Sequence, residues 1–223
     1  MNNYLLYKMA RCICVLSSKN PTHILVENIK NIQLFYPEFD IAVVDSDSSD
    51  FTYYDLLPKH VKVDYCKNKN WELGAWYYAL KQYPDYDIYM FMQDGLVPLG
   101  RIPGFDTENF EKNTVYSFHY EALLWHGGYY DDLVNIYRDS SLHFISELDP
   151  NTPILGTAHS SFITDRDNAT KMLQLEEPYI EKNVQKTKVH SWLAERTGGL
   201  IPERNCNKRI DITPYFQKYS LNR

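Results

Sequence analysis

Residues 86–98, Tyr-Asp-Ile-Tyr-Met-Phe-Met-Gln-Asp-Gly-Leu-Val-Pro, put one carboxylate, Asp94, directly after a short apolar run and before a glycine. A strand interior does not cheaply hold an unpaired carboxylate, whereas its exposed carboxyl end does. In open α/β sheets that end is where ligands sit. An acid there, followed by a Gly that frees the backbone to turn, suits a hard cation and a phosphate. A plain strand-ending Asp-Gly turn has the same sequence, so the neighbouring segments carry the distinction.

Three other segments hold side chains that could do chemistry. Residues 45–50, Asp-Ser-Asp-Ser-Ser-Asp, follow an apolar run. Asp45 and Asp47 there could accept a base N–H or ribose hydroxyls, and small serines let a ligand approach the backbone; a solvated acidic loop is the plainer reading. Residues 68–74, Asn-Lys-Asn-Trp-Glu-Leu-Gly, offer amide donors and the positive end of a helix dipole near a nucleotide, with Asn70 and Gly74 as candidates. Ordinary helix capping explains the same residues. Late in the chain stand His159-Ser160-Ser161 and a segment running from His190 to Glu195-Arg196. His190 and Glu195 are five apart and so do not form an i, i+4 pair on a helix. A surface histidine and a helical ion-pair residue would look alike here. There is no Gly-x-x-x-x-Gly-Lys-Ser/Thr loop, no Gly-x-Ser-x-Gly elbow and no His-Glu-x-x-His, which removes the commonest P-loop, hydrolase and zinc-protease readings.

Regular elements must position these groups. Arg11 to Leu16 predicts a strand and Ser17 to Asn20 a polar loop. Ile24, Leu25, Ile29, Ile32 and Phe35 recur at helical spacing behind Pro21 and a Thr22 N-cap. Strands follow at Phe39–Val44 and Val61–Tyr65, a helix at Trp71–Tyr83, and a strand at Ile88–Met92. Strand–helix–strand repetition is the unit of a parallel sheet with right-handed crossovers. Beyond Pro98 the reading is a strand over Val115–Tyr120, an irregular aromatic and glycine-rich turn over 125–130, and a helix over 133–145. A loop entering a strand over 156–164, a helix capped by Asp165, a helix over 179–198 and a surface-wrapping tail from Pro202 complete it.

The 223 residues suit one domain with decorated loops. A 44% hydrophobic content supplies the core, and most of the 19 tyrosines are expected to be half-buried members of it. A net charge of -6 argues against an extended nucleic-acid surface, although the late basic residues leave room for a local diphosphate site. Cys12 and Cys14 sit two apart on one strand face, matching neither a redox pair nor zinc spacing, and read as small buried hydrophobes of a reducing compartment. No segment reaches the roughly 20 apolar residues of a bilayer span. A soluble, cytoplasmic protein with no integral membrane segment is the expectation.

In order, these features resemble a GT-A-type glycosyltransferase, family 2-like and of the compact bacterial or viral kind. Residues 42–50, Ala-Val-Val-Asp-Ser-Asp-Ser-Ser-Asp, resemble the Val-Val-Asp-Asp-Gly-Ser-x-Asp signature ending the second strand. Residues 70–80 are similar to the Asn-x-Gly helix preceding the metal strand, and 86–94 occupy the place of that strand. The resemblance implies a single α/β GT-A domain with a mostly parallel sheet flanked by helices, residues 1–98 as its nucleotide-sugar-binding half and 99–223 as its acceptor-side half. It also implies a nucleoside-diphosphate-sugar donor, UDP-sugar favoured, a Mn²⁺ or Mg²⁺ cofactor and a glycan or other hydroxyl acceptor. By position, Asp45 and Asp47 read base and ribose, with Ser17, Asn70, Gly74 and Gln93 as further donor contacts. Asp94 ligates the metal, with His190 as a second candidate ligand, and Glu195 stands where inverting members keep a general base. The chain departs from the pattern at Gln93-Asp94-Gly95, which replaces Asp-x-Asp; Met92 falls where the first acid would stand. Two other readings remain beside this one. A sugar nucleotidyltransferase shares such a sheet, although Ser17 to Asn20 lacks that class's glycine-rich loop, and a catalytically inactive sugar-nucleotide or glycan-binding module would tolerate the missing acid.

Overall fold

Strand β1, Cys12–Ser18, is buried along its whole length because its two faces meet two different layers. Cys12, Cys14 and Leu16 pack with Leu25, Ile29 and Ile32 of helix α1 (His23–Phe35). Ile13 and Val15 pack on the opposite side with Leu73, Trp76 and Ala79 of α2 (Trp71–Gln82). Side chains alternate across a strand, so a strand covered on both faces needs an unbroken apolar run. Burial pushes the Cys12 thiol up to about 12 and the Cys14 thiol up as well, and both are free cysteines.

This is a computed structural model that describes residues 10–67, 71–123, 130–140, 142–149, 151–177 and 188–220. The other elements are β2 (Phe39–Ser46), β3 (Lys62–Cys66), β4 (Ile88–Gln93), β5 (Leu96–Pro98), β6 (Thr114–Leu123) and α3 (Tyr130–Tyr137). They continue with β7 (Pro153–Asp165), α4 (Arg166–Leu175), α5 (Lys188–Asn205), β8 (Lys208–Asp211) and β9 (Phe216–Lys218). Seven strands form one sheet in the order β3-β2-β1-β4-β7-β6-β8, and β5 with β9 forms a separate ribbon. Pairings of β1 with β2 and β4, of β2 with β3 and of β6 with β8 are parallel; β7 runs antiparallel to both β4 and β6. The expected α/β architecture, a mostly parallel sheet flanked by helices, is what the chain adopts. Strands from both the first 98 residues and the later part join the same sheet.

Local chemistry sets the helix starts. Thr22 Oγ1 accepts the Ile24 N–H at 3.3 Å, and Asp165 accepts the Asn168 N–H at 2.9 Å, so both expected caps form. Between the layers, Phe91 packs on Trp76 and Phe162 with centroid distances of 5.2 Å in each case. Tyr36, Tyr89 and Tyr137 are fully buried, and their hydroxyls reach oxygen acceptors, as Tyr36 does to the Gly100 carbonyl at 3.3 Å.

Several boundaries differ from the sequence reading. Ser17 and Ser18 end β1 and do not form a loop, and residues 156–164 belong wholly to β7. The helix expected over 133–145 is two pieces, α3 and a 3-10 turn at His143–Glu147. Helix α5 runs through Gly198, Gly199 and Pro202 to Asn205, and the tail contributes β8 and β9. Residues 125–129, and the part of the helix expected over 179–198 that falls on 179–187, lie outside the described residues. Among the described residues no helix is long and apolar enough to cross a membrane.

Candidate functional site

The parallel register aligns the carboxyl ends of β1, β2 and β4 in a row. Ser17 pairs with Val44 on one side and Gln93 on the other, and Ser18 pairs with Asp45. One residue beyond β4, the Asp94 N–H donates to the Ser17 carbonyl at 3.1 Å. Ser17, Asp45, Gln93 and Asp94 therefore share one edge of the sheet.

Asp94 is 2% exposed. Its Oδ2 accepts the Ser18 hydroxyl at 2.7 Å, and its main-chain oxygen accepts Asn28 Nδ2, from α1, at 2.9 Å. A carboxylate this buried needs such donors. Asp45 is equally buried. Its Oδ1 accepts the Ser48 N–H at 2.9 Å and its Oδ2 accepts the hydroxyls of Ser48 and Tyr54. Asp45 thus orders the loop after β2, and burial together with the Asp45 carboxylate pushes the Tyr54 hydroxyl upward in pKa. Asp47 is exposed on that loop with φ of 65°. Asn20, with φ of 47°, ties the loop after β1 to it: its N–H donates to Ser48 Oγ at 2.6 Å and its Oδ1 accepts the Ser49 N–H at 2.8 Å. The rings of Phe51 and Tyr65, both exposed, stand edge to face beside this loop at 5.7 Å.

Gln93 points toward α2 and β7. Its Nε2 donates to Glu72 Oε1, in the first turn of α2, and at 3.4 Å to the His159 carbonyl. Its Oε1 accepts the Lys218 ammonium. His159 lies where β7 is distorted: His159 and Ser160 have φ of 62° and 47°, a left-handed pair in mid-strand. The β6–β7 ladder correspondingly jumps from Phe162 to Thr157. Trp76 Nε1 holds the distortion by donating to the Ser160 carbonyl at 2.8 Å. Such backbone is sustained only where surrounding contacts over-determine it. On its other side, the His159 N–H donates to Glu195 Oε1 at 3.0 Å.

Glu195 reaches His159 because α5 lies directly on β7. A Cβ on Gly199 would stand 2.3 Å from the Leu155 carbonyl oxygen and 2.7 Å from Gly156 Cα, so only glycine permits this approach. Thr157 Oγ1 fastens the contact, donating to the Gly198 carbonyl at 3.0 Å. Tyr120 lies over Gly156, where a Cβ would meet its ring at 2.4 Å. Burial and the neighbouring Glu195 charge push its hydroxyl up to about 12.

The sequence-predicted residues divide accordingly. Ser17, Asp45, Gln93 and Asp94 share the sheet edge, Asp47 stands on the loop above it, and Glu195 joins it through His159. Gly74 is buried inside α2, one turn from its start. Asn70 and the side chain of His190 lie outside the described residues. Among the described residues no three His, Cys, Asp or Glu side chains come together as a metal site. A divalent cation at Asp94 would need substrate oxygens to complete its shell, and the described residues alone do not build a metal centre. Ser18, Glu72, Tyr120 and Lys218 were not anticipated. Ser18 could have been found from the strand end it shares with Ser17; the other three carry no local signal.

No family model and no curated protein matches the chain. Among solved structures it is similar to the mannosyltransferase PcManGT from Pyrobaculum calidifontis in complex with GDP-Man and Mn²⁺. That likeness has 16% identity, covers 49% of this chain and 35% of the other, and gives a TM-score of 0.39. It is also similar to GalNAc-T7 with UDP, GalNAc and Mn²⁺, at 10% identity over 77% of this chain and 38% of the other, with a TM-score of 0.49. The chain thus matches 35% and 38% of the length of these two structures.

Proposed function

We propose that the chain is a glycosyltransferase that moves a sugar from a nucleoside-diphosphate-sugar, with UDP-sugar favoured, to a hydroxyl of a glycan acceptor. One observation carries this reading. His159 accepts from Gln93 through its carbonyl and donates to Glu195 through its N–H. A single residue therefore joins the strand end that suits a diphosphate to a carboxylate that suits a base. Order along the sequence supports the same reading: acidic loop, Glu-Leu-Gly helix, Gln-Asp strand end, late Glu.

In this reading Asp47 faces the ribose, Phe51 and Tyr65 offer their rings to the base, and Asp45 holds the loop that presents them. Asp94 and Gln93 adjoin the diphosphate. The acceptor hydroxyl attacks the anomeric carbon and a new C–O bond forms. The bond from that carbon to the diphosphate oxygen breaks, and its electron pair leaves with the diphosphate. Glu195 takes the acceptor proton. Use of Glu195 as base belongs to the inverting course of the reaction.

The test is incubation with UDP-, GDP- and dTDP-sugars, with and without Mn²⁺ and with glycan acceptors. Release of nucleoside diphosphate from one donor, faster with an acceptor present, is the expected result. Donor binding with no turnover under every condition would replace this reading with an inactive binding module.

A further inference from the structure

We propose that Arg209 is a positioning residue for Glu195: its guanidinium fastens α5 to β7 and so fixes where that carboxylate stands. The inference rests on the transferase reading above and concerns what holds the base in place.

Helix α5 has little tendency to hold its line unaided. Gly198 and Gly199 weaken a helix through their backbone freedom, and Pro202, inside the same helix, has no N–H to donate. The carbonyl that a residue at 202 would serve is that of Gly198, four positions earlier. Thr157 Oγ1, from β7, donates to it instead at 3.0 Å. A side chain of the strand thus completes the helix that lies on it.

Arg209, on β8, completes the next turn of the same contact. Its Nη1 donates to the Leu155 carbonyl at 3.0 Å and to the Gly199 carbonyl at 3.4 Å, and its Nη2 donates to Thr157 Oγ1 at 3.4 Å. One planar cation therefore holds an oxygen of α5 and two of β7, which suits a rigid fork of donors and not a point charge. The backbone beneath it is fixed. Arg209 pairs with the fully buried Val115 of β6, and just before it the Asn207 N–H donates to the Asn113 carbonyl at 2.9 Å.

The contacts between helix and strand form a row. The β4–β7 ladder covers Phe162 to Asp165; earlier in β7, α5 lies alongside. Leu155 meets Gly199, Thr157 meets Gly198 and His159 meets Glu195. Alternate residues of the strand thus meet one face of the helix, at positions 195, 198 and 199. Arg209 holds the first two pairs, and Glu195 lies about one turn before them on the same helix. Releasing the guanidinium loosens the row at one end, and the His159 contact at the other end loosens with it.

The test is amide hydrogen exchange followed by NMR, with turnover measured beside it, in wild type, Arg209→Met, Arg209→Lys, Glu195→Gln and the Arg209→Met/Glu195→Gln double variant. In Arg209→Met the His159 amide should exchange about tenfold faster or more, the scale of one lost hydrogen bond to a charged group. The Asn168 amide, held by Asp165 at the start of α4, should exchange as in wild type. Turnover number should fall by about tenfold or more with donor KM near wild type, because the group displaced acts in the transition state. In the Glu195→Gln background the same substitution should lose little further, since both act through one carboxylate. Arg209→Lys keeps the charge and loses the fork; it should change in the same direction by less, and it carries the test if Arg209→Met does not fold. Unchanged His159 exchange in both variants, equal acceleration at Asn168, or rate losses that multiply in the double variant would each overturn the inference. Wild type that releases no nucleoside diphosphate from any donor overturns the transferase reading instead, and the exchange arm then decides by itself whether Arg209 holds the Glu195 contact.

Discussion

The main-chain N–H of His159 and Oε1 of Glu195 lie 3.0 Å apart, joining the left-handed distortion of β7 to the carboxylate on α5. Glu195→Gln keeps an oxygen acceptor for that N–H and removes the ability to take a proton. Its turnover should fall by about 10²- to 10⁴-fold, the usual contribution of a positioned general base. Donor affinity and thermal melting should stay near wild type. Wild-type turnover in this variant, measured by release of nucleoside diphosphate, would remove Glu195 from the chemistry.

Asp94 offers a second test, in which stability and activity separate. Asp94→Ala leaves the buried Ser18 hydroxyl without its acceptor, at an expected stability loss of about 1–3 kcal/mol. Asp94→Asn retains an oxygen for Ser18 and should lose less. Both variants should lose donor turnover. Urea unfolding beside donor hydrolysis distinguishes the two effects, and full activity in Asp94→Asn would show that the charge is not used.

The contact of α5 with β7 predicts a contrast between neighbouring glycines. At Gly199 an added Cβ meets backbone at 2.3 Å, whereas at Gly198 the nearest neighbour is Thr157 Cβ at 3.8 Å. Gly199→Ala must push the helix off the strand and should destabilise by about 1–3 kcal/mol, as overpacking does. It should also reduce turnover, because Glu195 rides on the same helix. Gly198→Ala should melt close to wild type. Equal melting temperatures for the two variants would contradict the packing described.

Glu176, at the end of α4, is 2% exposed and accepts the Tyr137 hydroxyl. Burial raises its carboxyl to about 7, only partly offset by hydrogen bonds from Thr197 and Tyr137. Between the ordinary carboxyl value and about 7, the native state keeps a proton that the unfolded chain releases. Stability therefore falls as pH rises through that window and levels off above it, by about 3 kcal/mol in all. Glu176→Gln removes this contribution and should melt higher than wild type near pH 8, with the gap closing toward about pH 4. Parallel melting profiles across that range would show that Glu176 is ionised in the native protein.

Much of the sheet was legible because strands covered on both faces must be apolar throughout. Ile13 to Leu16, Ile41 to Val44 and Ile88 to Met92 have no other comfortable reading, and Asp94 follows from where the last of these runs stops. Thr22 and Asp165 were readable because capping is a local hydrogen bond. β7 was less so: Gly-Thr-Ala-His-Ser-Ser carries the small and polar residues of a loop, and its strand character comes from pairing with β6. The glycines at 198 and 199 read as a helix end, yet Gly199 is the means by which α5 approaches β7. Asp45 looked ready for a ligand, whereas Ser48 and Tyr54 occupy its oxygens; the Asp-x-x-Ser spacing of that turn was the available sign. Lys218 had none, since it meets Gln93 across 125 positions and only the folded ribbon brings them together.

That separation bears on how the molecule is assembled. β1 to β4 close over short stretches of chain, each crossover bringing the next strand within reach of the last. The β5–β9 ribbon instead waits for more than a hundred further residues before Leu96 can meet Lys218. Closing so long a loop carries a larger entropic penalty than any crossover in the first half, and pairings of this range form slowly. A chain leaving the ribosome would therefore complete most of its apolar core before the ammonium arrives at Gln93. The turn after β4 would therefore be completed long after the strands β1 to β4 that lead to it.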